Sequence, residues 1–134
     1  MNALSTSLYA KLAGTSGLTS LLSSSTAIYN QIAPQGATFP FVVFQILSEV
    51  DDNETQNRAK QFLALVKGLS NTGFKQAGEI DAAIDAALQA TTITVTGWVN
   101  FMTRRESSTE YLEPIPGGGN VYHVGGIYRL RLAK

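Results

Sequence analysis

Two short runs constrain this 134-residue chain more tightly than anything else in it. Phe41, Val42, Val43, Phe44 and Ile46 are apolar on both parities, and so are Phe62, Leu63, Ala64, Leu65 and Val66 behind Gln61, flanked by Lys60 and Lys67. A strand with one face in water alternates apolar and polar residues; these two runs do not. They predict neighbouring strands in a sheet covered by helices on one side and by something else on the other. The first run follows a turn built around Pro34, Gly36 and Pro40. Pro40 cannot donate to a ladder and therefore belongs at a strand start or edge.

The rest of the chain supplies the covering. Leu4, Leu8 and Leu12 recur at helical spacing up to Gly14, and Leu18, Leu21 and Leu22 follow Ser16 as a second short helix. Ile28 to Ile32 reads as a brief extended piece. The best helical signal runs from Asn71 to Gln89, with Phe74, Ala77, Ile80, Ile84 and Leu88 inward and Lys75, Glu79, Asp81 and Asp85 outward. The segment "TTITVTGWVNFMT" alternates Ile93, Val95, Val99 and Phe101 against Thr94, Thr96, Trp98 and Asn100, which predicts one long strand. A closing strand places Tyr122, Val124, Tyr128, Leu130 and Leu132 on one parity. Glu49 to Arg58 is read as a long polar hairpin loop, and Glu106 to Asn120 as a loop with a short strand near Tyr111. The order α-α-β-β-β-α-β-β-β defines an α+β fold of one domain over residues 1–134, with an antiparallel sheet, one long helix on one face and short N-terminal helices.

Composition limits the chemistry. Ten Lys and Arg balance ten Asp and Glu, so the global pull expected of a nucleic-acid or anionic-lipid binder is missing. No cysteine is present to form disulfides or thiolate metal sites. No apolar run approaches the ~20 residues that cross a bilayer, and the N-terminus does not read as a signal peptide. The expectation is a soluble protein, cytosolic where it is made, with no membrane partner.

Catalytic material is sparse. His123 is the single histidine and sits on a strand without a partner motif, where a structural role is the ordinary one. Glu49, Asp51, Asp52 and Glu54 cluster as hard-cation ligands would, but without the alternating spacing and internal glycine of a calcium loop. Gly117, Gly118 and Gly119 lead into a strand, where a phosphate loop would lead into a helix. The reading is no enzyme, with no catalytic, cofactor or metal site. Arg104 with Arg105, and Arg129 with Arg131, lack the interleaved aromatics of a single-strand binder.

The order of elements, and above all Ile28 and Tyr29, then "APQG" from Ala33 to Gly36, then Phe39 and Pro40 leading into a β-run, resembles the tail completion proteins of long-tailed bacteriophages. These are also called tail terminator or tail-to-head joining proteins. The closing "GGIYRLRL" strand belongs to the same pattern. The resemblance implies a structural virion protein at the tail-neck junction. It implies a ring, generally hexameric, on the head-proximal end of the tail tube, which ends tube polymerisation and joins tail to head. The implied partners are further copies of the chain, the tail tube protein and the head-tail connector, with DNA passing through the lumen without specific binding. On this reading Glu49, Asp51, Asp52 and Glu54 face the lumen or the tube, since carboxylates do not hold phosphate. Arg104, Arg105, Arg129 and Arg131 are expected at subunit or tube contacts. The alternatives are a head-completion stopper of the neck and, from another class, a small-molecule-binding or enzymatic α+β domain.

Overall fold

The computed structural model describes residues 1–52 and 58–134. Helices α1 (Asn2–Ala13) and α2 (Ser16–Thr19) precede strands β1 (Ile28–Asn30), β2 (Phe41–Asp52) and β3 (Ala59–Ser70). Helix α3 (Phe74–Leu88) and strands β4 (Thr94–Val95), β5 (Trp98–Pro114) and β6 (Asn120–Ala133) complete the expected order. The six strands form one sheet in the order β1-β2-β3-β6-β5-β4.

Three expectations are corrected. The sheet is mixed, because β1 lies parallel to β2, pairing Ile28 with Val42 and Asn30 with Phe44. After β1 the chain turns at Gln31 (φ 70°), crosses over through residues 31–40 and re-enters beside itself in the same direction. The predicted long strand over "TTITVTGWVNFMT" is two strands, since Gly97 at φ 82° closes a tight turn between Val95 and Trp98. The reversal swaps the faces: Ile93 and Val95 are buried, yet Val99 and Phe101 are exposed, while Asn100 and Thr103 face inward. Both predicted long loops contain strand. β2 continues through Glu49 to Asp52 opposite Phe62 to Ala59, and β5 continues from Glu106 to Pro114 opposite β6.

The helices all pack on one face of the sheet. Leu4, Leu8 and Leu12 of α1 are fully buried, together with Ile80 and Ile84 of α3, Phe62, Ala64 and Val66 of β3, and Tyr128, Leu130 and Leu132 of β6. Each fully buried Leu, Ile or Phe contributes ~1.5–3 kcal/mol relative to exposure, so this cluster dominates stability. At Gly68 a Cβ would lie 2.5 Å from Ile80 Cγ2, so the bare backbone is what lets α3 seat against β3.

Among the described residues the opposite face is covered at one end only. There Ala27, Phe41, Val43, Leu69 and Val121 form a second, smaller cluster, covered by Ala33, Ala37 and Phe39 from the β1–β2 connection. Phe39 stacks on Phe41 at 4.7 Å, and Tyr29 meets Phe41 edge-on at 5.5 Å. The doubly apolar start of β2 is therefore buried on its second side by the proline-bearing loop that precedes it. Beyond Phe44 the strand opens: Gln45 and Leu47 are exposed, and a bulge between Ile46 and Ser48 bends it.

Candidate functional site

The uncovered part of the second face is the most distinctive surface of the molecule. Side chains alternate along β3 and β6, so with Phe62, Ala64, Tyr128 and Leu130 against the helices, Leu63, Leu65, Ile127, Arg129 and Arg131 point the other way. Leu65 lies directly opposite Ile127 and Leu63 opposite Arg129. All three apolar residues are half-buried and belong to neither core cluster. Among the described residues no helix or strand is packed over them.

Ion pairs fringe this patch. Arg129 donates through Nε and Nη2 to the two carboxylate oxygens of Glu106, and its Nη1 donates to Gln61. Glu106 sits at the β5 bulge between Arg105 and Ser107. Its hydrogen bond with Arg129 holds its carboxyl below the usual range and raises the Arg129 guanidinium correspondingly. Arg131 donates to Asp52 at 2.8 Å and lies 5.2 Å over the ring of Phe101. Arg104 is exposed and stands opposite Arg129 in the ladder, so Glu106 also relieves a like-charge pair.

The other members of the two expected charge groups are distributed differently. Lys60 Nζ pairs with Glu49 at 2.9 Å and Asp51 at 3.3 Å, and Glu49 also lies 3.4 Å from the Met1 amine. The Lys60 hydrogen bond lowers the Glu49 pKa. These carboxylates extend β2, where their acidity implied a loop, because Lys60 stands across the ladder from Asp51 and, with the Met1 amine, beside Glu49. Glu54 lies outside the described residues. Arg105 separates from Arg104 and turns to the helix side. It donates to Asp81 through both terminal nitrogens at 3.0 and 2.9 Å, to Tyr128 Oη at 3.2 Å and to the Gly125 carbonyl at 2.8 Å. Burial opposes its charge, but the Asp81 hydrogen bond and neighbouring groups outweigh that and raise its pKa. Tyr128 in turn donates to Asp85 at 3.0 Å, and burial raises its phenol pKa. Asp81 and Asp85 thus grip the sheet edge instead of pointing outward; their positions directly after Ile80 and Ile84, on the flank of the apolar stripe, were the available signal.

Asn100 was not legible as a structural residue. Its Oδ1 accepts from the Ile93 amide and the Thr103 hydroxyl, both at 2.9 Å, and its Nδ2 donates to the carbonyls of Met102 and Arg131. The side chain holds the second β5 bulge, which sits between Asn100 and Met102. His123 is buried, with Nε2 2.8 Å from Glu113 Oε1 and the ring edge-on to Tyr111. Among the described residues no group of three or more His, Cys, Asp or Glu is arranged to hold a metal ion, and no helix is long and apolar enough to cross a membrane.

A helix-backed mixed sheet whose other face is left apolar at its centre and fringed by ion pairs defines the class, an α+β domain with the kind of surface that protein assemblies bury. Residues 6–111 match the family Tail completion protein gp17, and since that span is most of the chain, the protein belongs to this family, as its "AIYNQIAPQG" segment led us to expect. The match ends within β5, so β6 lies beyond it. A chain in the solved structure described as the virion of a native gene transfer agent particle is similar in fold, with a TM-score of 0.71 and 17% sequence identity, covering 99% of this chain and 96% of that one. No curated protein matches the sequence significantly.

Proposed function

We propose that the chain is a structural component of a phage-type virion that forms a ring on the head-proximal end of the tail tube, stops tube growth and joins tail to head. The observation that carries the ring is the open sheet face around Leu63, Leu65 and Ile127, in a protein of the tail completion family. Apolar residues on an uncovered face gain by burial against another chain. In a closed ring each subunit offers one surface to a different surface of its neighbour, so this face needs no self-complementarity. Six copies is the count the family resemblance implies. Arg104, Arg129 and Arg131 lie at the border of this surface and are the proposed subunit or tube contacts; Arg105 supports them from inside the fold. Glu49, Asp51 and Asp52 stand at the hairpin end, paired with the Met1 amine, Lys60 and Arg131, and we assign that end to the lumen or the tube. DNA would then pass without being held. The gene transfer agent match supports a virion setting at the level of fold.

Imaging by negative stain, with the protein added to purified tail tubes, tests the proposal: extra density at one end of each tube is expected. Lysates lacking the protein should contain overlong or ragged tails. Filled heads that leak DNA beside tails of normal length would instead identify a head-completion stopper.

A further inference from the structure

Between the β1–β2 connection and the β5–β6 hairpin, on the open side of the sheet, lies a hollow of about 300 Å³. Its floor is Phe41, Val43, Leu69 and Val121, and one rim carries Ile32, which is 80% exposed. The other rim carries Glu113 and His123. This is the low end of the roughly 300–1,000 Å³ of small-molecule sites, and the hollow is open to solvent, so it suits one or two side chains of an extended segment.

Among the described residues Lys67 is the one lysine or arginine lining it. Its stem packs against Gly125, and its ammonium has no ion pair within 4.0 Å among those residues. Burial pushes its pKa down, opposed in part by the charge of Glu113. Glu113, the carboxylate at the hollow, is turned to His123. An ammonium is strongly hydrated, and one that is half-buried without an ion pair has given up water that its own chain replaces only in part.

We propose that this hollow docks an extended segment of a different protein in which an aliphatic or aromatic residue is followed directly by a carboxylate. The apolar side chain lies on Phe41, Val43, Leu69 and Val121, and the carboxylate pairs with Lys67. Such a pair, partly shielded from water, is stronger than one on open surface. A different protein is favoured over a second copy because the exposed extended stretches of this chain that fit, Val50 to Asp52 and Leu112 with Glu113, have their carboxylates already turned to Lys60, Arg131 and His123. The inference does not depend on the ring.

A display library of random decapeptides, panned on the purified chain, tests it. Wild type should select peptides with an apolar residue followed by Asp or Glu. Changing that acid to Gln or Asn should weaken a selected peptide about tenfold or more, as should Lys67→Met, whereas Lys11→Met on α1 should not. Amide shifts on titration should centre on Leu69 and Val121. Lys67→Met should melt no lower than wild type, because it removes a half-buried charge that Glu113 compensates only in part. The proposal fails if no motif is selected, if the motif survives Lys67→Met, or if Lys67→Met lowers the melting temperature. It fails equally if the chain self-associates through a contact that Lys67→Met abolishes, since the occupant would then be a second copy.

Discussion

Arg105 on β5 grips Asp81 on α3 with both terminal nitrogens, at 3.0 and 2.9 Å, and so fastens the long helix to the outer part of the sheet. Both side chains are about five-sixths buried, at 16% and 15% exposure. Arg105→Ala would leave Asp81 without its cation. We expect a loss of about 3 kcal/mol, the low end for breaking a buried pair, because both groups keep some contact with water. Urea denaturation measures it, and a double-mutant cycle with Asp81→Asn should show coupling between the two sites.

Glycines divide into those the packing requires and those it does not. At Gly125 a Cβ would stand 2.5 Å from the Val66 carbonyl oxygen and closer still to Lys67. Gly125→Ala should cost roughly 1–3 kcal/mol. At Gly78, in α3, a Cβ would meet nothing within 4 Å, and Gly78→Ala should gain roughly 0.5–1 kcal/mol through helix propensity. Shifts of the urea midpoint in opposite directions are the expected result.

Acid stability should carry the mark of His123. Burial lowers its pKa below the ordinary 6.5, with the Glu113 hydrogen bond and Lys67 modifying the shift. The unfolded chain therefore binds the proton more readily than the folded one. The stability from His123 is complete above about pH 6.5 and is lost as pH falls towards the depressed folded value. The carboxylates of Glu49 and Glu106, also lowered, extend the loss below their ordinary value of 4.5. His123→Gln should flatten the upper part of this profile and leave the lower part intact; an unchanged slope between about pH 6.5 and 5 would count against it.

Reversing the charges of Arg129 and Arg131 to Glu should leave the circular dichroism spectrum unchanged but lower the urea midpoint, because the new carboxylates would face Glu106 and Asp52, the latter only 15% exposed. Ring formation on tail tubes should be lost. Intact rings would remove these residues from the subunit contact.

Leu65→Lys probes the centre of the open face. The residue is half-buried in the single chain, so the substitution should cost only ~1 kcal/mol. Sedimentation and tube-end imaging should show the subunit folded and unable to assemble.

Much of the fold was legible because it rests on periodicity. The leucines of α1, the stripe of α3 from Ala77 to Leu88 and the parity of Val124 to Leu132 in β6 predict the buried sets found here, whereas Phe74, expected inward at the start of α3, is 40% exposed. What escaped depended on contacts distant in sequence. The strand from Glu106 to Pro114 has no apolar pattern, since it lies near the sheet edge and most of its side chains meet water; only its pairing with β6 makes it a strand. Glu49 to Asp52 looked like a loop because the cations that neutralise it, Lys60 and Arg131, come from two other strands. Gly97 was visible in the sequence, but its turn reverses the parity of every residue after it, and so Val99 and Phe101 were assigned to the wrong face. For the candidate surface, the apolar excess on β3 was readable from Leu63 and Leu65 alone. Which of the doubly apolar strands would find its cover within the chain was not, because that cover is a loop whose path no local pattern sets.

The loop from Gln31 to Pro40 gives the subunit a polarity. Phe39 closes one end of the second sheet face over Phe41, while the end bearing Leu63 and Ile127 stays bare, so two otherwise similar halves of one surface become unequal. A neighbour arriving on that face finds a fixed stop on one side and open apolar ground on the other. In the proposed ring its sliding direction would be limited before any specific contact forms, and a short proline-bearing connection would set the stagger between successive subunits.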